Sequence, residues 1–127
     1  MYRLLLFDPE EVKALKITRA NALRLWEQFY GCKKYAEDFH GYLMCRDAYG
    51  NSDYYVMECG ERIYCGWNLH HILPVAHGGT NAVSNLICTN IETNQAAGEK
   101  ITYWIDENLY QVRRIFGEGS YEIIKLK

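Results

Sequence analysis

Proline is scarce, with two residues in 127, and no Pro-, Gly- or Ser-rich linker divides the chain. Long apolar runs are missing as well. No stretch approaches the roughly 18 consecutive apolar residues of a transmembrane helix. The opening run Tyr2–Phe7 is too short for a secretory signal, and Asp8-Pro9-Glu10 closes it at once; a cytoplasmic protein without a membrane partner is expected. The five cysteines, at 32, 45, 59, 65 and 88, form no Cys-x-x-Cys pair, and their odd number argues against a disulfide framework. Cys59 and Cys65 read as opposite sides of a hairpin. A zinc knuckle joining them to Cys45 or Cys88 lacks the customary spacing, so buried free thiols are expected and a structural zinc is not. A basic surplus is also lacking: 14 Lys and Arg face 16 Asp and Glu, for a net charge of −2. Proteins that hold nucleic acid by its phosphates usually carry such a surplus. Positive charge here is only local, at Lys33-Lys34, Arg113-Arg114, Lys125 and Lys127.

What remains is the composition of an ordinary globular chain, 49% hydrophobic and 24% charged, of a length that suits one domain. Eleven tyrosines and three tryptophans supply large buried areas. Thr18 can cap a helix running to Tyr30, in which Ala22, Leu23, Trp26, Phe29 and Tyr30 recur every three or four residues, and Gly31 is a natural stop. A shorter helix is expected over Tyr35 to Leu43. From Tyr49 the texture turns to strands: Tyr54 to Met57, Ile63 to Cys65, a strand from Trp67 ending at Pro74, and Leu86 to Cys88. Asn90 to Glu99 reads as a helix. Ile101–Ile105 and Leu109–Val112 flank a short hairpin loop, and Gly117–Ser120 turns the chain into a last strand, Tyr121 to Leu126. The expected class is α+β, one domain over 1–127: a helical part over about 1–48, a central unit over about 64–100 and C-terminal strands over about 101–127.

The segment that carries chemistry is Trp67-Asn68-Leu69-His70-His71-Ile72-Leu73-Pro74, followed by Gly78-Gly79, Ser84-Asn85-Leu86, Asn90 and Asn94. Adjacent histidines on a strand point to opposite faces, so one can face a metal and the other a water nucleophile. Neutral imidazole ligates metals and, with a pKa of about 6.5, suits proton abstraction near neutrality. Asn90 and Asn94, at i and i+4, present two amide oxygens on one helical face. Each piece alone has an ordinary explanation: a surface His pair, turn asparagines, a glycine loop. Their order together is what points to a hydrolytic metal site.

Over about residues 20–117, and most specifically from Gly66 to Glu99, the chain resembles the HNH (ββα-metal) endonucleases, in particular a small bacterial and phage-type subgroup. The carrying elements are His-Ile-x-Pro, the Gly-Gly loop, Ser-Asn-Leu and a helix bearing Asn94, with Tyr49-Gly50-Asn51 upstream. The resemblance implies N-terminal helices, then a ββα-metal finger, then a strand extension. It implies hydrolysis of double-stranded DNA, with His71 activating water and Asn85 holding the loop and orienting that imidazole through a backbone carbonyl. His70 and Asn94 would ligate one divalent ion, with Asn90 a further ligand, and Lys100, Arg113 and Arg114 would contact DNA.

Three departures qualify the pattern. The implied ligands are neutral, which suits Mn²⁺, Ni²⁺, Zn²⁺ or Co²⁺ better than Mg²⁺. Ala97 stands where a lysine is common. Asn51 to Cys65 is longer than the usual link, so an extra hairpin is expected. With the acidic balance, these departures support a second expectation: a non-catalytic HNH-fold binding or inhibitor protein with a protein partner.

Overall fold

The computed structural model describes residues 6–127. Of the opening apolar run, Tyr2 to Leu5 lie outside the described residues. Asp8 starts the first helix, α1 (Pro9–Lys13): its carboxylate accepts from the Glu11 amide at 2.8 Å while the Glu11 side chain accepts from the Asp8 amide at 3.0 Å. α2 (Arg19–Tyr30) is capped by Thr18 and ends at Gly31, whose φ of 63° lies where a side chain is disfavoured. Its buried face is Ala22, Leu25 and Trp26, with Phe29 exposed. The expected stripe is thus rotated, because the helix seats Trp26 against Trp67 at 5.0 Å between ring centroids.

The helix expected over Tyr35 to Leu43 is replaced by a hairpin, and the helical N-terminal part ends at Tyr30 apart from one 3₁₀ turn at Arg46–Ala48. β1 (Tyr35–Glu37) pairs antiparallel with β2 (Leu43–Cys45). The cause is Asp38: one buried carboxylate oxygen accepts from the amides of His40, Gly41 and Tyr42, all at 3.0 Å, which folds the backbone into a turn that a helix cannot match. A second hairpin, β3 (Tyr55–Glu58) with β4 (Glu61–Tyr64), is the extra one expected. Cys59 sits at its tip and Cys65 at its base, so the two cysteines do not face each other across it.

Next come β5 (Trp67–His71) and β6 (Leu86–Asn90), antiparallel with His71 opposite Leu86, and β6 runs directly into α3 (Ile91–Ala97). The chain closes with β7 (Thr102–Ile105), β8 (Asn108–Arg114) and β9 (Tyr121–Lys125), in spatial order β7-β8-β9. Among the described residues the architecture is mixed α+β, built on four small antiparallel sheets. Among the described residues no helix is long and apolar enough to cross a membrane.

Among the described residues two apolar clusters form. The larger gathers Leu15, Leu25, Trp26, Met44, Trp67, Leu69 and Leu86; the smaller joins Ala97 of α3 to Tyr103, Ile105 and Tyr110. A polar clasp reinforces the second. His40 meets the Tyr110 hydroxyl at 2.7 Å and Asp106 at 2.8 Å, and the Tyr42 hydroxyl also donates to Asp106. All five cysteines are free, with Cys45, Cys65 and Cys88 buried and Cys32 and Cys59 exposed. Burial pushes the Cys65 thiol up to about 11 and that of Cys88 to about 12, so neither is reactive near neutrality.

Candidate active site

Alternation along β5 sorts its side chains. Trp67 and Leu69 are buried in the larger cluster, while Asn68 and His70 take the other face and reach α3. The His70 Nδ1 lies 2.7 Å from Asn94 Oδ1, and the Asn94 amide nitrogen donates to Asn68 Oδ1, also at 2.7 Å. That second bond turns the Asn94 oxygen towards the ring. His70 is 4% exposed. Burial pulls its pKa below the usual histidine range; the Asn94 contact opposes this, the neighbouring His71 adds to it, and the Asp38 charge opposes it again. The ring is therefore neutral near pH 7, as a ligand must be.

His71, half-buried on the opposite face, places Nε2 2.7 Å from Asn81 Oδ1. Asn85 holds the intervening loop. Its oxygen accepts from Leu73 N at 2.9 Å, and its amide nitrogen donates to Leu73 O at 3.1 Å and Thr80 O at 2.9 Å. The loop lies so close that a Cβ on Gly79 would meet Leu73 O at 1.7 Å. The Asn85 carbonyl, expected to orient the His71 ring, instead accepts from Ile72 N at 2.8 Å. Asn85→Ala is expected to leave the Leu73 amide and two carbonyls without partners and to cost about 1–3 kcal/mol. Chemical denaturation would measure this, and an unchanged midpoint would overturn the loop-holding role.

Asn90 is corrected from ligand to helix cap. Its Oδ1 accepts from Glu92 N at 2.9 Å, its Nδ2 donates to Leu43 O and Tyr64 O, and the residue is 1% exposed. It precedes the first helical turn, so it shares no face with Asn94. Lys100 is exposed just past α3. Arg113 lies at the far end of β8, tied to Glu122 across the sheet at 3.1 Å, with Arg114 exposed beside it. The bond from Val112 N to Ile101 O brings this end of β8 next to Lys100.

Among the described residues no three His, Cys, Asp or Glu side chains converge as a metal-holding group, so the donors that meet are one imidazole and one amide oxygen. Two ligands of one ion at ~2.1 Å and a right angle lie about 3 Å apart. The His70–Asn94 separation of 2.7 Å is close to that, but the hydrogen bond aims the Asn94 oxygen along the Nδ1 lone pair, so an ion would need the Nδ1 proton to leave and the two side chains to turn aside. Three residues at the site were not singled out from sequence: Asn81, Asn68 and Asp38. Asn68 shares the period of His70, a signal that was readable. Asp38 bonds Asn90 N at 2.9 Å across 52 positions, which no local pattern announces.

Compared with family models, curated proteins and solved structures, the chain matches none of them.

Proposed function

We propose that the chain is a metal-dependent endonuclease of the HNH type acting on double-stranded DNA. The observation that carries this reading is the β5–loop–β6–α3 unit, in which His70 reaches Asn94 on the helix while the adjacent His71 faces the loop. His70 and Asn94 would hold one divalent ion, which supplies charge stabilisation to the scissile phosphate and the leaving oxygen. His71 takes the proton of the attacking water, Asn85 keeps the loop in place, and Lys100 and Arg114 meet backbone phosphates. Plasmid DNA relaxed or cut by the purified chain with a divalent metal, and left intact in EDTA, is the test.

The neutral donor pair sets the metal preference. Without a carboxylate in contact with the ion, Mn²⁺, Ni²⁺ or Co²⁺ is expected to support faster cleavage than Mg²⁺ at equal concentration. His70→Asp adds a hard anionic oxygen and should move the preference towards Mg²⁺. Relaxation assays across metals, with binding followed by calorimetry, check both; Mg²⁺ as the best cofactor of the natural chain would overturn this account of the donors.

One observation favours a second reading, a non-catalytic binder of the same fold. A cleft of about 550 Å³ carries three carboxylates, Glu37, Glu58 and Glu92, against one cation, Arg62, which lies over the Tyr55 ring, and neither His70 nor His71 borders it. Such a surface suits a basic protein partner better than a phosphate backbone. No metal binding by calorimetry would make this the better reading.

A further inference from the structure

The geometry points to Asn81 as the positioning residue of His71, an assignment that rests on the nuclease reading. A neutral imidazole carries one N–H. With Nε2 2.7 Å from Asn81 Oδ1, that proton sits on Nε2 and is donated to the amide oxygen, which leaves the Nδ1 lone pair to take a proton from water. The acceptor is presented by a loop whose backbone is fixed at three successive carbonyls. Thr80 O accepts from Asn85 Nδ2 at 2.9 Å, Asn81 O from Leu15 N at 2.8 Å, and Ala82 O from Asn85 N at 2.8 Å. Asn85 therefore acts on His71 at one remove, by holding both neighbours of Asn81. The anchor on Asn81 O, Leu15 N, belongs to the stretch between α1 and α2, so the N-terminal segment also helps to set the ring. A side chain held in this way fixes both the tautomer and the rotation of the imidazole, as outer partners of histidines do elsewhere.

The test uses the full chain, with Asn81→Ala and with Asn81→Asp, which keeps an acceptor oxygen. Long-range ¹H–¹⁵N spectra of the histidine rings are read above the titration range, beside steady-state cleavage. The wild type should show His71 as a single Nε2–H tautomer with a slowly exchanging ring proton. Asn81→Ala should show mixed tautomers and fast exchange, with kcat lowered about 10–100-fold and KM for DNA little changed, and Asn81→Asp should restore most of the rate. An Nδ1–H tautomer in the wild type, or an Asn81→Ala ring spectrum like the wild type, overturns the proposal, as does a loss confined to KM. A wild type that cleaves no DNA with any metal sinks the nuclease reading and with it the catalytic part of this one, while the spectra still decide whether Asn81 holds the ring.

Discussion

His71→Ala is expected to abolish DNA cleavage, by ~10²–10⁴-fold in rate, while the protein stays folded and binds metal as before. The separation follows from where the ring sits. His71 is half-buried at the end of β5 and its ring bond is to a loop asparagine, whereas His70 and Asn94 meet on the other face of the strand. Removing the imidazole thus deletes the proton acceptor without touching the donor pair. Plasmid relaxation in the preferred metal, run beside thermal melting and metal calorimetry, checks all three parts. Cleavage at the wild-type rate would end the assignment of His71 as general base.

Asp38→Ala is expected to cause the largest loss of stability, about 3–5 kcal/mol, or roughly 10–20 °C in Tm. Four backbone amides, of His40, Gly41, Tyr42 and Asn90, converge on this one carboxylate, and a methyl group satisfies none of them. The Asn90 bond makes the effect more than local. Asn90 begins α3, so the change also loosens the helix that carries Asn94, and weaker metal binding should accompany the lower Tm. Asp38→Asn, which keeps one acceptor oxygen, should lie between the two. A melting curve within 2–3 °C of wild type, on the order of 1 kcal/mol, would show that the turn and α3 do not depend on this side chain.

The parts of the fold that could be read from the sequence are those decided by neighbours. Thr18 and Gly31 mark the ends of α2 because capping involves residues three or four apart. The β3–β4 and β7–β8 hairpins follow from alternation broken by turn residues. What could not be read depends on distant contacts. Tyr35 to Leu43 has residues compatible with a helix, and the carboxylate that bends it is fixed by Asn90, far along the chain. The site divides along the same line. His70 and Asn94, on different elements, were paired only through the resemblance, and they meet in space. Helical spacing alone puts Asn90 on the face of Asn94, yet an asparagine before Ile91-Glu92 is also a capping signal, and the cap is fixed because Leu43 and Tyr64 offer carbonyls to its amide. Asn81, in a loop after two glycines, looks like any turn residue until the His71 ring is found beside it.

The division of the apolar interior into two clusters has a consequence for the order in which the molecule comes apart. The strands β7 to β9 pack on their own small cluster and join the rest through Ala97, Phe39 against Tyr110, and the clasp of His40 and Tyr42 on Asp106 and Tyr110. They can open as a cooperative unit while Trp26 and Trp67 remain packed, since the larger cluster draws nothing from them. Amide hydrogens of β8 and β9 should then exchange through this cheaper, partial opening, and those of β5 and β6 only when the whole chain unfolds. A protease would first find the Ile115–Gly119 turn, where Phe116 stands almost wholly in solvent. The histidine-bearing hairpin would thus outlast the sheet that follows it.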